Sequence, residues 1–248
     1  MTEPRAERLI AGMQAVREAI RARPAALDRV AVEARDTPRL EALVRFARDQ
    51  GVARLERLPR RELDRLAGSV EHQGALAWGP PLALTPVGEV LAWPGLLALA
   101  LDGIQDPQNF GAVVRSAVAL AGAPILWGEH ASAPLGAATG RASAGAIEHA
   151  TLCRVPSLPA ALEEAAEAGA TVVGLDPAAP LALASLDLRG PTVLVIGSEH
   201  TGMHRSVRRA CGVLAHLVPP GRVQSLNASV AAGIALYEAA KQRVNSAG

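Results

Sequence analysis

Three short polar clusters lie in order along the last 140 or so residues of the chain, each at the end of an apolar run. The first is Asp106-Pro107-Gln108-Asn109-Phe110-Gly111, with Arg115 following. The second is Gly197-Ser198-Glu199-His200-Thr201-Gly202, and the third is Gly221 followed by Ser225-Leu226-Asn227. Polar residues just past a buried strand are badly placed for core packing and well placed for a ligand. Three such clusters on one sheet point to one composite site.

In the first cluster a helix is expected to start near Asn109. Asn109 and Arg115 are six residues apart, about 240° around an ideal helix, so they do not share a face. Asn109 is therefore expected at or before the N-cap, a favoured place for asparagine. Arg115 lies deeper, but its long side chain leans back toward the helix start. A phosphate there would meet both the guanidinium and the helix N-terminus. A plain cap and a surface arginine would read the same way. In the second cluster Gly197 and Gly202 permit close backbone approach or positive φ, with Glu199 between them; a turn carrying a solvated glutamate is the simpler alternative. In the third, either Ser225 or Asn227 caps a helix whose apolar face holds Val230, Ile234 and Tyr237.

His200 and His204 stand four apart, as in a helical metal pair, but Gly202 lies between them and no glutamate fills the metalloprotease position. No metal site is expected. Neither GxGxxG nor GxxxxGK[ST] occurs, and Ser143 lies in Ala142-Ser143-Ala144-Gly145, which is no nucleophile elbow.

The elements that must position these clusters follow from periodicity. Candidate strands are 96–101, 124–127, 152–155, 171–175, 192–196 and 214–218; candidate helices are 111–121, 136–142, 158–168, 204–211 and 228–243. Such alternation predicts an α/β fold with a mostly parallel sheet covered on both faces, whose ligands bind at the carboxyl ends of the strands. Before it, Leu9, Met13, Val16 and Ile20 predict one helix over 9–23, ended by Pro24. Strands at 29–34, 54–58 and 75–78 and helices at 38–50 and 61–67 complete a small α/β domain over 1–79. Pro80-Pro81 and Pro86 mark 80–94 as a linker, and 95–248 as the second domain.

Composition narrows the partners. The chain has 248 residues and a net charge of +1, but residues 1–66 hold 15 Arg against 11 acids, while the rest is net acidic. That asymmetry fits either a polyanion partner for the front segment or a solvated charged face. Only six residues are aromatic, so a nucleic acid would be held mainly by charge and hydrogen bonds. Cys153 and Cys211 lack metal or disulfide spacing. The absence of a signal-like start and of an uninterrupted apolar span predicts a soluble, cytoplasmic protein with no membrane association.

Together the clusters resemble the three signature motifs of the SpoU (TrmH-like) RNA ribose methyltransferases, within the SPOUT superfamily. Residues 101–117 resemble motif one, 195–203 motif two, and 218–239 motif three. Ala142-Ser143-Ala144-Gly145-Ala146 with Glu148-His149 also looks like this family, and residues 10–77 resemble its substrate-binding domain. The resemblance implies a C-terminal domain threaded as a trefoil knot, S-adenosylmethionine as methyl donor, an RNA partner and a homodimer. It implies a donor pocket at Ile196, Gly197, Leu217 or Val218, and Leu226. The family's Ile-Pro-Met-x-Gly here reads Leu217-Val218-Pro219-Pro220-Gly221, which leaves the contact at either of two positions, and His200 replaces a common glycine. Arg115 is implied as the catalytic arginine, with Asn109, Glu199, Ser225 and Asn227 around the ribose and its phosphate. The donor is already activated, so the enzyme's task is to place the hydroxyl in line and help its proton leave. A guanidinium holds its own proton, so Arg115 is read as a phosphate clamp that polarises the hydroxyl. Ribosomal RNA guanosine is the favoured substrate. Transfer RNA, a resistance-type ribosomal RNA adenosine, and a non-catalytic RNA-binding or ribosome-assembly role are the alternatives.

Overall fold

The computed structural model describes residues 7–130, 132–217 and 225–244. The chain begins with β1 (Arg8–Ala11), α1 (Met13–Ala22), β2 (Arg29–Glu33), α2 (Pro38–Asp49), β3 (Leu55–Leu58), α3 (Arg60–Ala67) and β4 (Ala75–Gly79). These strands form one sheet in the order β1-β4-β2-β3. Met13, Val16 and Ile20 are buried along α1, as their spacing predicts. The expected helix from Leu9 is corrected at its start. Gly12 takes φ 102°, a conformation that side chains resist, and Leu9–Ala11 extend instead to pair antiparallel with β4. Val16, Ile20, Leu43 and Val44 pack on one side of the sheet, and Leu63 packs with Leu76 and Trp78 on the other.

The stretch read as a linker contains α4 (Val87–Leu91), anchored by the fully buried Val90. β5 (Leu97–Leu101), α5 (Pro107–Leu120) and β6 (Ile125–Gly128) follow. Pro134–His149, which includes α6 (Ala137–Ala142), clusters with the first compact unit, whereas the sequence reading ran the second domain unbroken from 95 to 248. Glu148 shows why the segment stays there. Its side chain is 2 % exposed and accepts from Arg8 Nη2 at 2.8 Å on each oxygen and from Arg23 Nη2 at 3.0 Å. A buried carboxylate held by two guanidiniums is satisfied; moved elsewhere it would not be.

The second unit continues with β7 (Leu152–Val155), α7 (Leu158–Glu167), β8 (Thr171–Leu175), a two-residue β9 (Leu181–Ala182), β10 (Thr192–Ile196), α8 (Arg205–Ala210), β11 (Val213–His216) and α9 (Ala228–Val244). Its sheet runs β7-β6-β5-β10-β8-β11-β9, and each pairing is parallel. Ala98, Ala100, Val193 and Val195 alternate onto one face and pack with Val90, Leu158, Leu162 and Val207. α5 and α9 pack against each other, and a Cβ on Gly233 of α9 would stand 3.6 Å from Ser116 Oγ of α5. The central neighbours β5, β10 and β8 end side by side, which brings the loops carrying the first two polar clusters to the same edge.

Candidate functional site

α5 starts two residues before Asn109. Asp106 is its N-cap and accepts from Gln108 N at 3.1 Å, and Pro107 occupies the first helical position. Aspartate is a strong cap and proline arrives with helical φ already set, so this pair outcompetes Asn109 as the start. Asn109 therefore sits within the first turn, not at the cap as the sequence reading had it. Arg115 lies six residues on; it is exposed and has no hydrogen bond or ion pair among the described residues.

The second cluster is a tight hairpin. Ser198 and Gly202 exchange backbone hydrogen bonds of 3.1 and 2.9 Å, and Gly202 takes φ 66°. Gly197 lies so close to the returning strand that a Cβ there would stand 2.4 Å from Gly202 C and Met203 N. Both glycines thus do what their spacing suggested, one by close approach and one by positive φ. The hairpin presents Glu199 at its exposed tip.

At the start of α9, Asn227 Oδ1 accepts from Ser229 N at 2.9 Å and Val230 N at 3.3 Å, so Asn227, of the two residues open to the role, is the cap. Its amide nitrogen faces the other way. It donates to Asn109 Oδ1 at 2.9 Å and to Glu199 Oε1 at 2.5 Å, while Asn109 Nδ2 donates to the same Glu199 oxygen at 2.6 Å. Ala228 N adds a fourth link, to Glu199 Oε1 at 3.4 Å. Residues from all three clusters therefore meet on one carboxylate oxygen. Glu199 Oε2 has no partner among the described residues and remains an acceptor open to solvent. Ser225 is exposed and unpartnered among those residues, on the approach to α9.

Three of the residues assigned to a donor pocket sit at strand ends. Ile196 closes β10, Gly197 follows it, and Leu217 follows β11, on either side of β8 in the sheet order. Leu226 is 43 % exposed, unusual for a leucine beside a buried helix start. Val218 lies outside the described residues.

One pair went unassigned in the sequence. Asp102, at the exit of β5, accepts from His204 N at 2.6 Å on Oδ2 and faces His204 Nδ1 at 2.9 Å on Oδ1. An aspartate closing a buried strand was the available signal. His204, singled out above for its spacing from His200, is thus engaged with a carboxylate. Among the described residues no three His, Cys, Asp or Glu side chains are grouped to hold a metal. No described helix is long and apolar enough to cross a membrane.

Residues 96–237 match the SpoU rRNA Methylase family, and residues 9–82 match the family of RNA 2′-O ribose methyltransferase substrate-binding domains. An uncharacterized tRNA/rRNA methyltransferase of Mycolicibacterium smegmatis is 40 % identical over 242 residues, covering 95 % of this chain and 76 % of that protein. The fold is shared with the SpoU methyltransferase AviRb from Streptomyces viridochromogenes, solved in complex with the cofactor AdoMet (TM-score 0.77, 24 % identity, 96 % of this chain and 91 % of that one). It is also shared with an AdoMet-bound rRNA methyltransferase from Sinorhizobium meliloti (TM-score 0.76, 23 % identity, 95 % and 87 % covered).

Proposed function

Because the chain belongs to the SpoU rRNA Methylase family, we propose that Asn109, Arg115, Glu199, Ser225 and Asn227 form the site at which it methylates a ribose. The enzyme is an RNA 2′-O-ribose methyltransferase, and S-adenosylmethionine, held by two solved proteins of the same fold, is the methyl donor we assign to it. One observation carries the site reading: Asn109, Glu199 and Asn227, separated by up to 118 positions, hydrogen-bond to one another beside the carboxyl ends of parallel strands. The packing of α5 against α9 brings the starts of the two helices together, and the hairpin adds Glu199 to them.

Bound S-adenosylmethionine supplies a methyl group already activated by its sulfonium. Ile196, Gly197, Leu226 and either Leu217 or Val218 would hold it. The protein's own part is positional and electrostatic. Arg115, unpaired and exposed, clamps the RNA phosphate and polarises the 2′-hydroxyl. Asn109 and Asn227 fix the Glu199 carboxylate through Oε1, which leaves Oε2 to accept from a ribose hydroxyl. The family's knot would thread through a segment that includes residues 218–224, outside the described ones.

We assign the substrate as ribosomal RNA, with guanosine as the nucleotide. The family likeness of the segment Ser143–His149 and the layout with an N-terminal substrate-binding domain support that choice. We further propose a cytoplasmic location, which ribosomal RNA as the substrate supports. We also propose a homodimer. In support, Val230, Ile234 and Tyr237 are 48, 42 and 58 % exposed along α9, at spacings of four and three. Mapping 2′-O-methyl groups on total RNA from cells with and without the protein tests the assignment. Loss of one methyl group from ribosomal RNA is expected. Loss from transfer RNA would move the substrate, and unchanged RNA with no S-adenosylmethionine binding in calorimetry would overturn catalysis altogether.

A further inference from the structure

We propose that Asp102 and His204 are positioning residues for methyl transfer: they set the distance between the hairpin that carries Glu199 and the loop that leads to Asn109. The proposal rests on the site reading above.

The Asp102 side chain is 9 % exposed, and an ionised carboxylate so placed needs partners for both oxygens. It takes both from one residue. His204 N donates to Oδ2 at 2.6 Å, and the His204 ring meets Oδ1 at 2.9 Å. His204 is the residue at which the second cluster's loop enters α8. At the other end of that loop, Asp102 N donates to Ile196 O at 2.9 Å. Asp102 thus fastens the loop at entry through its backbone and at exit through its carboxylate.

Between those two anchors the hairpin is tied to other elements through Glu199, by Asn109, Asn227 and Ala228 N. Residues 199–202 are exposed, and the pairing of Ser198 with Gly202 is internal to the hairpin. The first cluster's loop is close by: a Cβ on Gly103 would stand 3.5 Å from His204 Cε1 and 3.6 Å from Ser198 Cβ. Seven residues beyond Asp102, Asn109 must reach Glu199, and it does so at 2.6 Å. A hairpin that swung by an ångström would break that contact. Misplacement of that size can lower a rate by about 100-fold without touching the reacting groups.

The His204 side chain is 62 % exposed, so its replacement leaves the core intact. In His204→Ala the ring contact is lost while the backbone donor to Asp102 remains; in His204→Asn an amide can donate from nearly the same place. Methylation is measured with tritiated S-adenosylmethionine and total RNA from cells lacking the protein, with S-adenosylmethionine affinity by calorimetry. For His204→Ala, kcat is expected to fall tenfold or more, while the KM for RNA and the donor affinity change less than threefold. His204→Asn is expected to recover most of kcat. A merely structural contact would lower the melting temperature and leave kcat alone. Wild-type kcat in His204→Ala, or no recovery in His204→Asn, would overturn the proposal. Glu199→Ala, measured alongside, separates the two readings: if it retains full activity the site itself is misassigned, whereas an inactive Glu199→Ala beside a fully active His204→Ala sinks only the positioning role.

Discussion

Arg115 stands exposed on α5 with no ion pair or hydrogen bond among the described residues, so its removal costs the fold little. Its charge and fork geometry are free for the phosphate proposed above. Arg115→Ala is expected to lower methyl transfer by at least about 100-fold, a typical loss for a group that stabilises developing charge, while stability stays within about 0.5 kcal/mol of wild type. Arg115→Lys keeps the charge without the bidentate fork and should recover only part of the rate. Kinetics paired with thermal melts check both. Asn227 is the opposite case, with two jobs in one side chain. Its Oδ1 caps α9 and its Nδ2 holds Asn109 and Glu199. Asn227→Ala should cost about 1 kcal/mol of stability from the lost cap and also most of the activity. Asn227→Ser keeps a capping oxygen but supplies no amide, so stability should return and activity should not. A serine variant with wild-type activity would show that the cap is all that Asn227 does.

How far the elements were legible depends on which force set them. Thr171–Leu175 and Thr192–Ile196 were readable to the residue because they are short apolar runs with no competing period. The start of α1 was misread because Leu9 fits the helical spacing of Met13, Val16 and Ile20. Only pairing with β4, 65 or more residues away, makes Leu9–Ala11 a strand. The start of α5 differs for a local reason: Asp106-Pro107 is a better helix opening than Asn109. The meeting of Asn109, Glu199 and Asn227 was not readable from spacing at all, because the strand order β5-β10-β8 is a tertiary choice; the order of the motifs pointed to it. The strands also bear on stability. Burial pushes the thiols of Cys153, in β7, and Cys211, after α8, up to about 11 from an ordinary value of 9.0. A thiol that stays neutral in the folded chain and ionises in the unfolded one favours unfolding as pH rises. Stability is therefore expected to fall from about pH 9 and to level off near pH 11 in this respect. Cys153→Ala should flatten that fall in denaturant titrations across the window; an unchanged slope would count against thiol burial as the cause.

For the molecule as a whole, the scarcity of rings limits base stacking as a means of gripping RNA. Phe46 lies under Arg17 and Arg21, Trp78 lies 3.8 Å from Arg29, and Phe110 and Trp127 pack edge to face in the core. Of the six aromatic residues, only Trp93 and Tyr237 are exposed. Base stacking therefore has little to work with, and the excess of arginine in the first 66 residues takes on the greater weight. Tyr237 belongs to a different surface. With Val230 and Ile234 it forms an apolar strip on α9, a helix that also begins at the site through Asn227. A second copy of the chain covering that strip would bury it and would stiffen the helix that carries the cap. If so, association and catalysis are coupled through α9. Ile234→Glu places a charge in the middle of the strip, where burial against an apolar partner is strongly disfavoured. Because Ile234 is 42 % exposed in the single chain, the monomer should tolerate the change. Sedimentation velocity is expected to show a dimer for the wild type and a monomer for Ile234→Glu, with methylation reduced tenfold or more and the melting curve of the monomer still cooperative. A wild-type chain that sediments as a monomer at assay concentration, or a monomeric variant with full activity, would remove α9 from the pathway between assembly and chemistry.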